Sequence, residues 1–132
     1  MPTRRYRLWL DRVRGQSIKS PDRGWLSQAI LPQYMLGTLS YVRSGLPDLT
    51  HRQMALILVI YLTPGPHTVR GLALELNVSK PIVTRALDTL CQFRYAQRVR
   101  DTVDRRSIFI EATTEGHAFL DALVQAVDSQ PH

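Results

Sequence analysis

The sequence predicts a mainly α-helical chain with one small β-hairpin towards its C-terminal end. Three observations predict it. Apolar residues recur at helical spacing after Thr50, Thr68 and Ser79, each a side chain able to cap a helix start. Residues 95–101 and 107–112 alternate in the manner of strands around a short charged loop. Apolar residues make up 44% of the 132, enough for a core without disulfides, and the single cysteine, Cys91, allows no internal one.

Residues 1–22 form a basic N-terminal arm or a short amphipathic helix. Tyr6, Trp9, Leu10 and Val13 fall at i, i+3, i+4 and i+7, and Gly15, Ser17, Ser20 and Pro21 then mark a linker. Residues 23–132 read as one domain. Its first helix is expected over 24–44, on the spacing of Leu26, Ile30, Tyr34, Leu36 and Tyr41. Pro32 removes one backbone donor inside it, which predicts a kink or a break, and Gly45 with Pro47 ends it.

Thr50 opens a stronger helix. Gln53 three residues on completes a capping box. Met54, Leu56, Ile57, Leu58, Ile60 and Tyr61 make this helix apolar nearly all round, so it is the expected core helix, and Pro64-Gly65-Pro66 stops it. Two short helices follow. Thr68 caps the first, which ends near Leu76 with Asn77 suited to a left-handed turn. Ser79 is placed to cap the second, with Pro81 harmless in its first turn. That helix runs to about Phe93, and Val83, Ala86, Leu87 and Leu90 form its inward stripe. After the two strands, Thr113 caps a last helix over 114–128, with Phe119, Leu120, Leu123, Val124 and Val127 apolar.

The charges are unevenly spread. Residues 1–23 carry seven basic side chains against two acidic ones, residues 79–106 carry seven against three, and residues 107–132 carry four acidic and no Lys or Arg. Two basic blocks point either to a polyanion, whose bound counterions are released as phosphates are neutralised, or to a solvated basic surface. No run approaches the roughly 18 apolar residues of a membrane span, and no apolar stretch with a cleavage site follows the basic N-terminus. The expectation is a cytoplasmic protein without a signal peptide or membrane association.

The order helix, helix-turn-helix (about 68–93), wing (about 95–112), helix is that of a winged helix-turn-helix, flanked by N- and C-terminal helices. The tight turn at Asn77-Val78 sets the second helix across the first, so that its N-terminal end can enter a major groove. That end presents free N–H groups and a positive dipole to phosphate. The loop of the wing can reach the neighbouring minor groove with arginine.

The same segments resemble the MarR family of bacterial transcriptional regulators. Residues 68–90, from Thr68-Val69-Arg70-Gly71 to Asp88-Thr89-Leu90, look like its helix-turn-helix, and Asp101-Thr102-Val103-Asp104-Arg105-Arg106-Ser107 looks like its wing signature. Thr113-Thr114-Glu115-Gly116 looks like the start of the helix after the wing, and Leu49-Thr50 with Gln53 resembles the start of the family's second helix. The resemblance implies binding of double-stranded DNA by a homodimer. It places Ser79, Lys80, Thr84 and Arg85 at groove-facing positions and Arg105 or Arg106 at the wing arginine, one in contact and the other structural. It gives Asp104 the task of bracing the wing by pairing with an arginine. Members of the family carry long C-terminal helices that pair with the first helix to form the dimer, often beside a small-molecule pocket. Here sixteen residues follow Gly116. The N-terminal segment with Trp9 is therefore expected either to take their place or to act as a DNA-binding arm, and no effector is specified.

No cofactor, metal site or enzyme is expected. His51, His67, His117 and His132 stand at no metal-ligand spacing, Cys91 reads as a small buried apolar group, and neither a nucleophile–base set nor a Gly-rich phosphate loop is present. The leading function is sequence-specific transcriptional regulation. The alternative is a winged-helix adaptor with reduced DNA binding, which would expose an apolar patch around Trp9 or Trp25 rather than a basic face.

Overall fold

A computed structural model of the chain describes residues 29–128. Expectations for the arm, including Trp9, and for residues 23–28 with Trp25 lie outside the described residues. The chain divides into two compact units, Met1–Met35 and Leu36–His132. Of the first, only the opening of one helix is described. The described elements are α1 (Ile30–Arg43), α2 (His51–Leu62), α3 (Val69–Leu76), α4 (Lys80–Gln92), β1 (Ala96–Arg100), β2 (Ile108–Ala112) and α5 (Thr114–Asp128). The class is mainly α with a small antiparallel hairpin, in winged helix-turn-helix order, as the sequence predicts.

Local chemistry accounts for most boundaries. The Thr50 hydroxyl accepts the Gln53 N–H at 3.1 Å while the Gln53 side chain accepts the Thr50 N–H at 2.9 Å, the expected capping box. Thr68 accepts the Gly71 N–H at 3.0 Å, and Asn77 closes α3 with φ 55°. Thr113 caps α5 by accepting the Gly116 N–H at 3.0 Å. One detail differs from expectation and another is refined. α1 starts at Ile30, so Pro32 lies in its first turn, where helix N–H groups have no intrahelical acceptor. Ser79 occupies the start of α4 but makes no side-chain capping bond.

The core lies in the second unit around α2. Leu56 and Ile57 are completely buried, as are Val83, Leu87 and Leu90 of α4, with Leu72 of α3, Ile110 of β2 and Phe119 of α5 closing round them. α1 meets α5 through Gly37, where an added Cβ would stand 3.6 Å from Val127, and through the edge of Tyr41 against Phe119. The hairpin pairs Ala96 with Ala112 and Arg100 with Ile108. It gains one further backbone rung from outside, since the Ile110 N–H donates to the His67 carbonyl at 2.8 Å. That rung fixes the base of the wing to the segment between α2 and α3. Ile108 shares a face with Ile110 but lies nearer the wing tip and is 41% exposed.

One hydroxyl joins three elements. Tyr61 of α2 donates to the Tyr95 carbonyl at 2.6 Å, just before β1, and its oxygen accepts the Thr113 N–H at 3.0 Å, just before α5. A Cβ on Gly116 would overlap this hydroxyl and stand 2.5 Å from the Tyr95 carbonyl oxygen. Glycine is therefore required there for close approach, and the hairpin and α5 are held to the core helix at one point.

Candidate nucleic-acid interface

The α4 helix buries Val83, Ala86, Leu87 and Leu90 and turns its other side outward. At about 100° per residue, Arg85 lies roughly opposite Val83, and Lys80 and Thr84 lie on the flank. Ser79, Lys80, Thr84 and Arg85 are all exposed. The first turn of α4 holds no acidic residue, and Pro81 has no N–H to contribute. The uncapped start leaves the Ser79 hydroxyl and the N–H groups of Lys80 and Ile82 for an outside acceptor, at the positive end of the helix dipole.

The wing loop is shaped by its two aspartates. The Asp101 carboxylate accepts the Val103 N–H at 3.0 Å, and the Asp101 N–H donates to the Ser107 carbonyl at 2.9 Å. The Asp104 carboxylate accepts the Arg106 N–H at 3.0 Å and the Ser107 hydroxyl at 3.2 Å. Among the described residues Asp104 thus engages the loop through main chain and hydroxyl. Both carboxylates are occupied by local bonds, in the way Asp stabilises turns. Arg105 and Arg106 stand exposed on the same loop.

One participant is absent from the expected set. Arg98 of β1 forms an ion pair with Asp88 of α4 at 2.7 Å, and the same nitrogen donates to the Thr84 carbonyl at 3.4 Å. Its other terminal nitrogen lies 3.7 Å from Cys91 Sγ. Burial pushes the Cys91 thiol up, with Arg98 pulling it the other way. The available signal is strand alternation: Arg98 stands two residues from the buried Ala96, on the face turned towards the helices. Among the described residues no cluster of His, Cys, Asp and Glu could hold a metal ion, and no helix is long and apolar enough to cross a membrane.

This geometry has known counterparts. The model of the MarR family matches residues 47–107. Transcriptional regulator Tm0710 from Thermotoga maritima superposes with a TM-score of 0.64 at 24% identity, over 83% of this chain and 75% of its own. A mutant MepR from S. aureus, bound to an oligodeoxyribonucleotide, gives 0.67 at 21% identity over 83% and 78%. RV1404 from Mycobacterium tuberculosis gives 0.67 at 16% identity over 86% and 80%. At these identities the likeness is one of fold. Among curated proteins none matches the chain. The matched segment runs from the turn before α2 through the wing loop, and over it the chain is similar to the MarR family.

Proposed function

We propose that the protein is a sequence-specific regulator of transcription that binds double-stranded DNA as a homodimer. The observation that carries this reading is the outward side of α4: an uncapped, acid-free N-terminal turn followed by exposed Lys80, Thr84 and Arg85. An adaptor has no need of that face. Support comes also from the likeness to the MarR family over residues 47–107 and from the oligodeoxyribonucleotide on the similarly folded MepR. In this reading Ser79 and Lys80 meet phosphate, Thr84 and Arg85 read base edges, and Arg105 or Arg106 enters the minor groove. The exposed Leu36 and Val42 of α1 and Val124 and Val127 of α5 supply apolar surface for the partner subunit.

Gel-shift titration against the DNA upstream of the protein's own gene, with a salt series, tests it. Arg85→Ala should weaken the specific site by about 1–3 kcal/mol and random DNA less. Equal weakening on both assigns Arg85 to the backbone. No binding of any DNA by the unaltered protein refutes the function and favours the adaptor.

A further inference from the structure

We infer that Arg98 is a positioning residue, a bridge from the wing that fixes the reading helix and neutralises a carboxylate on its DNA side. The inference rests on the DNA-binding reading above. Thr84, Asp88 and Cys91 are spaced i, i+4 and i+7, so they form one stripe along α4. Arg98 touches all three members of that stripe from β1. The core stripe of Val83, Ala86, Leu87 and Leu90 holds the helix from behind. Arg98 holds its flank, and one of its anchors is the backbone of Thr84 itself, so rotation of α4 about its axis is resisted where bases would be read.

Electrostatics gives the bridge a second task. Asp88 is the single acidic residue of α4, and its side chain is 57% exposed. It lies one turn beyond Thr84 and three residues beyond Arg85, on the outward half of the helix. Unpaired, it would face DNA phosphate with the same sign of charge, which costs affinity on every sequence. Paired with Arg98 it presents a nearly neutral group. The guanidinium is suited to this because its planar fork reaches a carboxylate, a carbonyl and a sulfur together, whereas an ammonium acts as a point charge.

Three variants separate positioning from direct contact. Arg98→Lys keeps the charge and loses the fork. Its ratio of specific to random affinity should fall about fivefold, the size of one well-formed surface ion pair, with the salt slope unchanged. Arg98→Met should lower that ratio as well and in addition weaken random DNA, because Asp88 is left bare, and Asp88→Asn added to Arg98→Met should recover the binding of random DNA alone. A phosphate contact behaves differently: Arg98→Met would then lower the salt slope by about 0.9, and Asp88→Asn would restore nothing. Either that pattern or an unchanged Arg98→Lys ratio overturns the inference. The bridge is also read without DNA, from NMR of the Arg98 guanidinium, whose rotation should be slowed in the native protein and released by Asp88→Asn. Free rotation in the native protein overturns the bridge. Slowed rotation in a protein that binds no DNA keeps the bridge and refutes the function instead.

Discussion

Arg94 holds a backbone position that suits another residue. Its φ is 62°, in the left-handed region, at the turn between α4 and β1. Its backbone is well used there: the N–H donates to the Cys91 carbonyl at 3.0 Å and the carbonyl accepts the Thr113 hydroxyl at 2.5 Å. A left-handed φ costs a side-chain-bearing residue about 1–2 kcal/mol, and the extra freedom of glycine in the unfolded chain returns roughly half of that. Arg94→Gly should therefore stabilise the protein by about 0.5–1 kcal/mol, read as a higher urea midpoint with unchanged slope. A lower midpoint would mean that the arginine side chain contributes more than its backbone costs. The contrast with Asn77, at φ 55°, shows what the sequence makes legible at this scale. Asparagine at the end of a helical pattern signals a left-handed turn by its own chemistry. Arginine signals only charge, so the place of Arg94 in a basic block hides its turn.

Among the elements, α5 depends most on a single contact. Its first turn approaches α2 closely enough for the Tyr61 hydroxyl and the Tyr95 carbonyl to fill the space beside Gly116. Neither obstacle is the loose end of an exposed chain: one is backbone and the other is tied by hydrogen bonds. Gly116→Ala should cost about 3 kcal/mol and lower the melting temperature on the order of 10 °C. A melting temperature like the native one would show that α5 can slide without penalty. The helix itself is legible in the sequence, because Thr113 and the apolar spacing after it are local signals. The requirement for glycine is not, since it is set by a tyrosine 55 positions earlier in the chain. The same division holds elsewhere. The capping box of α2 and the inward stripe of α4 follow from residues a turn apart. The His67 rung on β2 and the Arg98 bridge join residues across loops, and no local spacing announces them. The spacing likewise locates α1 but not where its first turn begins.

For the whole molecule the open quantity is how charge and apolar surface are shared between folding, assembly and DNA. Residues 1–23 hold seven of the 17 basic residues, and Leu8, Trp9, Leu10 and Val13 make the same segment too apolar for a purely solvated tail. The second unit exposes Leu36, Val42, Val124 and Val127, with exposures of 38%, 69%, 62% and 42%. Such residues on adjoining helices α1 and α5 exceed what one small core uses. The expected assembly is a homodimer at micromolar concentration, its two reading helices about one DNA turn, roughly 34 Å, apart. Deleting residues 1–22 should then give a monomer by size-exclusion chromatography with light scattering, and preference for a site of two half-sites should vanish with it. If the segment meets phosphate instead, the truncated protein stays dimeric and keeps its sequence preference, while its salt slope falls by about 0.9 for each phosphate it no longer neutralises. A truncated dimer with the full salt slope refutes both roles and leaves α1 and α5 to form the interface alone. A native protein that is monomeric with and without DNA refutes the dimer altogether and shifts the balance to the adaptor.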